Sequence, residues 1–411
     1  MPIGASLNLA PVVALEDAAS AIATARRAAL ADHYAASSLT VEWRRLAELP
    51  PVAAQWRELA ARALEPNVFY EPAFLLAAAA VADRGAGAVL VWSSTEPARL
   101  LGLFPGRIER RRYGPALPIL VGLTHPYGPL GVPLVEREAA EPIVAAFLTH
   151  LSAQPTLPGL VLLPFLPADG PFAAALAAIT RRARMPTADF NHHQRALLAP
   201  GRNRSRYVED ALTPRQHKEL RRQWRRLSET GAVLFTAATE PAAVVVALED
   251  FLALEARGWK GRAGTAAAGH DNVRGFVRAA VRGLAAEGKV SIDRLLVDGR
   301  AIAATIVLRS AGSAWFWKIA YDEAYARYSP GVMLTVELTS ELAEDTSLAR
   351  TDSCATANHP MIDRIWRERL ALCDRLIAVR PHVPFALARR LEGLRSAAIA
   401  SARRLRGLFG D

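Results

Sequence analysis

The chain has 411 residues, 51% of them hydrophobic and 22% charged, a balance that fits folded globular units and excludes wholesale disorder. No run approaches about 18 consecutive uncharged apolar residues, which argues against a hydrophobic spanning helix, and the two cysteines, Cys354 and Cys373, exclude a disulfide framework or a cysteine-based metal cluster. The formal net charge is +10, carried almost wholly by arginine, since the lysines are Lys218, Lys260, Lys289 and Lys318 alone; an anionic ligand, nucleic acid or an anionic membrane surface are the partner classes this admits. The opening stretch MPIGASLNLAPVVALEDAAS lacks a basic region and soon meets Glu16 and Asp17, so it does not read as a signal peptide and the expected location is the cytoplasm.

In chain order, residues 1–38 form an alanine-rich, weakly patterned extension with a helix expected near 15–31. LTVEWRRLAEL starts a folded unit with a short strand, and VAAQWRELAARA and EPAFLLAAAAVA read as helices on either side of the breaker LEPN. AVLVW and ARLLGLFPGRIER are strands joined by the turn SSTEP; the loop THPYGPLGVP follows, then the helix REAAEPIVAAFLTHLS, the buried strand GLVLLPFL and the helix PFAAALAAITRRA. Residues 186–212 read as a polar connector. Thr213 is an N-cap and Pro214 a first helical residue, opening a basic helix that ends before Gly231. AVLFTAAT is a strand, EPAAVVVALEDFLALEARGWK and NVRGFVRAAVRGLAAEG are helices, and residues 289–321 give three strands linked by the turns DGR and SAGS.

The two halves share this outline, and HPYGPLG in the first stands where YSPGVML stands in the second. A degenerate tandem duplication and two unrelated α/β halves are both consistent with the pattern. The expected division is 1–38 extension, 39–200 first domain, 201–380 second domain and 381–411 a basic amphipathic C-terminal helix.

The stretch WFWKIAYDEAYARYSPGVML, at 315–334, places a strand, a polar loop and a helix start in succession. The first N–H groups of a helix lack internal partners and the helix dipole adds positive potential, so Ser329, Pro330 and Gly331 are placed to cradle an anion. The basic helix QHKELRRQWRRL, FLALEARGWKGRAGTA, LLVDGRAIAATIVLR, this stretch and DSCATANHPMIDRIWRERL follow one another over residues 215–370. In that order they resemble the GNAT N-acyltransferase superfamily, in particular its CelD-like (BioF-like) branch of cellulose biosynthesis, a relative of the Fem-type aminoacyltransferases. RYSPGV stands where the superfamily's Q/R-x-x-G-x-G/A loop is found.

The resemblance implies an α/β (α+β) fold, a mixed sheet flanked by helices, as a tandem of two GNAT-like domains, with acetyl-CoA or another acyl-CoA as co-substrate and no metal. Lys318, Ile319 and Ala320 would line the donor and offer a backbone oxyanion donor; Tyr328, Ser329, Pro330, Gly331 and Val332 would hold its diphosphate. Glu255 is the first candidate base, with an ion pair to Arg257 or Lys260 as its alternative; Asp352 is the second, with a turn or cap as its alternative. Tyr321 is a candidate proton donor, and Trp259, Lys260, Trp317 and Asp322 are acceptor-side candidates, each also readable as packing or turn residues. Cys354 with His359 reads as a structural thiol, with an acyl-enzyme pair as the weaker alternative.

Arg215, Lys218, Arg221, Arg222, Arg225 and Arg226 sit on one helix, either as a solvated face or as a phosphate contact; no nucleic-acid-binding motif accompanies them. In the tail, Leu387, Leu391, Leu394, Ala398 and Leu405 share a face among arginines, for docking on the domain or on a membrane at the inner-membrane surface. The expected activity is N-acyl transfer to a small amine such as an amino sugar, in exopolysaccharide, cellulose or envelope synthesis; a Fem-like aminoacyl-tRNA transferase and an inactive scaffold are the alternatives.

Overall fold

The computed structural model describes residues 39–79, 81, 85–114, 117–201, 204–258 and 271–408. The first half runs β1 (Thr40–Arg45), α1 (Ala53–Arg62), α2 (Pro72–Ala78), β2 (Ala86–Trp92), β3 (Leu100–Glu109), β4 (Ile119–Gly122), β5 (Leu134–Val135), α3 (Ala140–Ala153), β6 (Leu160–Pro167), α4 (Pro171–Arg182) and β7 (Thr187–Leu198). A short α5 (Tyr207–Ala211) leads to the second half: α6 (Pro214–Ser228), β8 (Val233–Ala238), α7 (Pro241–Arg257), α8 (Asp271–Ala286), β9 (Val290–Val297), β10 (Arg300–Ser310), β11 (Ser313–Tyr321), α9 (Pro330–Glu344), β12 (Arg350–Asp352), β13 (Glu368–Ala378) and α10 (Phe385–Leu408).

One mixed sheet runs through both halves in the order β1-β2-β3-β4-β6-β13-β7-β12-β11-β10-β9-β8, with β5 beside β3. Each half contributes four antiparallel strands and then a parallel step, β4 to β6 in the first and β11 to β12 in the second. The halves therefore repeat one design, and the sheet is a doubled version of it. The last strand of each half crosses over: β7 pairs with β12 of the second half and β13 with β6 of the first, and the two crossed strands pair with each other at the centre.

Local chemistry explains most of these elements. The β9–β10 and β10–β11 turns put Asp298–Gly299 and Ala311–Gly312 at positive φ, as tight primed hairpins require. Pro72, Pro171, Pro214, Pro241 and Pro330 each open a helix, where a missing N–H costs nothing. Thr213 caps α6 as expected, its Oγ1 accepting from Gln216 N while Gln216 Oε1 accepts from Thr213 N at 2.7 Å.

Several strands depart from the sequence expectation. Residues 187–198, read as connector, are β7, and no strand was expected at β4, β5 or β13. Much of β7 is polar on both faces, through Asn191, His192, His193 and Gln194, so no apolar alternation marks it; its backbone pairs along most of its length with β13 and, at Leu197–Leu198, also with β12.

Candidate functional site

The parallel pairing of β11 with β12 spans only Ser313–Trp315 against Arg350–Asp352. β11 then continues to Tyr321 while the other chain turns away through Cys354, which has φ 53°. The divergence leaves the far edge of β11 without a β12 partner and opens a wedge in the sheet. Two adjoining cavities occupy it. One, about 480 Å³, lies between Glu255 and Gly258, the end of β11 and the start of α9. The other, about 260 Å³, lies between Trp317, Lys318 and Cys354 of the second half and Pro126, Tyr127 and Pro129 of the first. Ile319, His359 and Met361 form walls of both. A groove of about 1510 Å³ between α3 and α4 is larger, but it is an open, alanine-lined surface that shares no lining residue with the wedge.

The helix start takes its shape from Ser329, which sits at φ 53°, ψ 50° and has no side-chain capping bond. A left-handed serine is uncommon and concentrates at functional turns. Pro330 follows, so Gly331 is the first residue of α9 with an N–H to offer, while Val332 N and Met333 N both return to Ser329 O. A Cβ on Gly331 would meet Tyr321 Cδ1 at 3.4 Å and Ile319 Cδ1 at 3.7 Å, so this glycine borders the cavity directly. Ser329, Pro330, Gly331, Val332, Ile319, Ala320 and Tyr321 all line the same space. Tyr328 does not: it is 7% exposed and packs with Leu334 and Tyr325 in the core beneath α6, because the left-handed turn after it sends its ring inward.

Glu255 projects from the last turns of α7, fully buried, with Oε1 2.8 Å from Lys318 Nζ. Lys318 of β11 is thus a partner of Glu255; the sequence alternatives were Arg257 and Lys260, the latter outside the described residues. The Lys318 ammonium stands 5.1 Å from the centre of the Tyr127 ring. A bulge in β11 at Trp317, where Ile306 faces Lys318 and Val307 faces Phe316, re-aims these residues. Trp317 Nε1 donates to Tyr127 O at 2.7 Å, and Thr305 Oγ1 donates to Lys318 O at 2.9 Å. Burial first, and the Glu255 charge second, hold the Tyr127 hydroxyl above its ordinary pKa.

Asp352 and Asp322 are corrections. Asp352 is buried in a pair with Arg195, 2.5 Å from Nη2, and its other oxygen accepts from Cys354 N; it is a clamp at the point of the wedge. Asp322 accepts from Ala324 N and pairs with Arg300 at 2.9 Å, a cap. Neither is among the described residues lining the two cavities. Trp259 and Lys260 lie outside the described residues. Burial first, and the charge of Asp352 second, push the Cys354 thiol well up, which favours the structural reading over an acyl-enzyme.

The sequence did not point to the loop from the first half. β4 and β6 pair only at Leu120–Val161 and Val121–Leu162, so that half also begins to splay. Its loop fills the opening: Gly131 N donates to Phe165 O at 3.1 Å, and a Cβ there would lie 1.9 Å from Pro164 O. Asn67 Nδ2 donates to Leu130 O and Val132 O, pinning the loop further. The tip then reaches the second half, where Arg195 Nη1 donates to Pro129 O at 2.8 Å. Arg195 is carried by the crossed strand β7, so one buried guanidinium ties loop, wedge and exchange together. Arg195→Met should leave Asp352 as an uncompensated buried charge and cost about 3–5 kcal/mol; chemical denaturation checks this, and Arg195→Met with Asp352→Leu should recover most of the loss.

His125 gives this loop a pH signature. It stacks on Phe74 at 6.0 Å, its Nδ1 accepts from Tyr127 N, and burial lowers its pKa from 6.5 to about 4. A depressed imidazole stabilises the fold above the unfolded value, and that contribution is lost as pH falls through the folded one. The loss should reach roughly 3 kcal/mol by pH 4. Urea titrations from pH 7 to pH 4 should show this slope in the wild type and a shallower one in His125→Gln.

Comparison with known proteins agrees with this geometry. Residues 214–359 match the family model described as Acetyltransferase (GNAT) domain. That segment includes β11, β12 and the helix start at Ser329–Gly331, and the match supports an enzyme of the acyltransferase class. No curated protein matches the sequence. Among solved structures, FemX superposes with a TM-score of 0.54 at 8% identity, over 79% of this chain and 95% of its own. The C-terminal domain (DUF2156) of a putative lysylphosphatidylglycerol synthetase from Agrobacterium fabrum superposes with a TM-score of 0.52 at 11% identity, over 84% of this chain and 96% of its own. At those identities the likeness is one of fold.

Proposed function

We propose that the protein transfers an acyl group, acetyl in the simplest case, from acyl-coenzyme A to the amine of a small acceptor, and that the second half alone performs the chemistry. The observation that carries this reading is the wedge beside β11, bounded by the Ser329–Gly331 helix start at one end and the Glu255–Lys318 pair at the other. The Gly331 N–H and the positive end of α9 hold the donor's diphosphate. The stretch of β11 beyond its β12 pairing, at Lys318–Ala320, aligns the donor's arm and places its backbone beside the thioester oxygen as negative charge gathers there. The acceptor enters beside Tyr127 and Trp317. Glu255, steadied by Lys318, takes the amine proton; the new N–C bond forms as the C–S bond breaks, and the Tyr321 hydroxyl supplies a proton to the departing thiolate.

The exposed cations of α6 support a phosphate-bearing donor. Leu220 and Trp224 of that helix pack against Tyr325 and Tyr328, in the segment that ends at the cradle. Aromatic walls from Tyr127 and Trp317 suit an amino sugar, and a place in exopolysaccharide, cellulose or envelope synthesis in the cytoplasm follows from the likeness to the CelD-like branch. The first half, its own opening filled by residues 123–133, serves as the acceptor-side wall.

Thermal-shift titration with acetyl-CoA tests the reading. Saturation at a hundredfold excess over Kd adds about 2.7 kcal/mol, so the melting temperature should rise by several degrees. A flat response to acetyl-CoA and to longer acyl-CoAs, with a shift on aminoacyl-tRNA, would replace the donor; no response to either would remove it.

A further inference from the structure

We propose that α10 and the adjoining β3–β4 hairpin form a docking surface for an anionic phospholipid bilayer. This surface is separate from the wedge and does not depend on the identity of the donor.

The helix is anchored by one face. Ala388 and Glu392 are buried, and Glu392 forms a two-pronged pair with Arg112 of the hairpin, at 2.9 Å and 3.0 Å. Phe385 and Val383 pack with Tyr113 around Ala388. A different stripe faces outward. Leu387 is 46% exposed and Leu394 is 69% exposed; the other large apolar side chains exposed to this degree among the described residues are Leu234 and Val246. At about 100° per residue, Leu387, Leu391, Leu394 and Ala398 fall within one narrow arc. Arg390 and Arg395, both exposed, lie on opposite sides of that arc.

The charge on this face has one sign. Glu392 is the only acid between Phe385 and Ala402, and it is turned inward against Arg112. The hairpin adds exposed Arg110 and Arg111 next to the residue that holds the helix. An apolar stripe flanked by arginines and free of outward carboxylates complements a lipid surface with anionic headgroups, the leucines entering the acyl boundary while the guanidinium groups stay at the phosphates. The helix is about 36 Å long and would lie along the surface; it is not long and apolar enough to cross.

The test is sedimentation of the full chain with vesicles of equimolar phosphatidylglycerol and phosphatidylcholine, against vesicles of phosphatidylcholine alone. The protein should partition onto the anionic vesicles at least about tenfold more strongly, less so as salt rises. Leu387→Glu with Leu394→Glu should lower that partition about tenfold or more, as should Arg110→Glu with Arg111→Glu; circular dichroism and the melting temperature should be unchanged in both, since all four side chains are exposed. Equal binding to both vesicle types, no binding to either, or full binding by the leucine variant would overturn the proposal. A concentration-dependent dimer broken by the leucine variant, with no vesicle binding, would assign the stripe to a second copy and overturn it equally.

Discussion

Glu255→Gln is expected to lower turnover by about 10²- to 10⁴-fold, the range for losing a positioned proton acceptor, while leaving the acetyl-CoA thermal shift in place. Glutamine keeps the shape and loses the charge, so Lys318, paired at 2.8 Å and nearly buried, is left without its counter-ion. Breaking a buried pair from one side costs about 3–5 kcal/mol, and lost activity could then reflect a loosened fold. The double variant Glu255→Gln/Lys318→Met separates the two causes. It should recover the melting temperature and still fail to turn over, read as thiol release with glucosamine as acceptor probe. Recovery of turnover in the double variant would make the pair structural and move the base elsewhere in the wedge.

Gly331→Val should weaken acetyl-CoA binding by about a hundredfold or more. Losing a charge-assisted backbone contact alone accounts for about 1.5–3 kcal/mol, and the added methyl groups extend toward Tyr321 and Ile319, which a Cβ alone would already touch at 3.4 Å and 3.7 Å. The fold should not suffer, because the left-handed residue of this turn is Ser329 and valine is slightly the better helix former. Gly331→Ala should fall between the two. Normal binding by the valine variant, in a titration beside a matched melting curve, would show that the diphosphate rests elsewhere.

What the sequence disclosed follows the range of each interaction. The hairpins at Asp298–Gly299 and Ala311–Gly312, the proline-opened helices and the helix start at Ser329–Gly331 are written in neighbouring residues, and they stand where they were expected. The two crossed strands are not, since their partners lie in the opposite half and their polar faces follow no period. The site divides the same way. Glu255 was recognisable as a carboxylate on an apolar helix, but its partner is 63 positions away. Tyr127 meets Trp317 across 190 positions and Arg195 meets Asp352 across 157, and no local pattern announces either. Asp352 was misread because a carboxylate beside a strand end looks the same in sequence whether it faces a cavity or a buried guanidinium.

The crossing of β7 and β13 also constrains how the molecule is made and inherited. During synthesis the first half cannot complete its portion of the sheet until residues 368–378 have emerged, so both halves must close together, late, through contacts of long sequence separation. Cutting the chain between them would leave each fragment with a missing neighbour and a foreign strand. Under the proposed function the first half does no chemistry, yet it stays indispensable because the sheet of the second half runs through it.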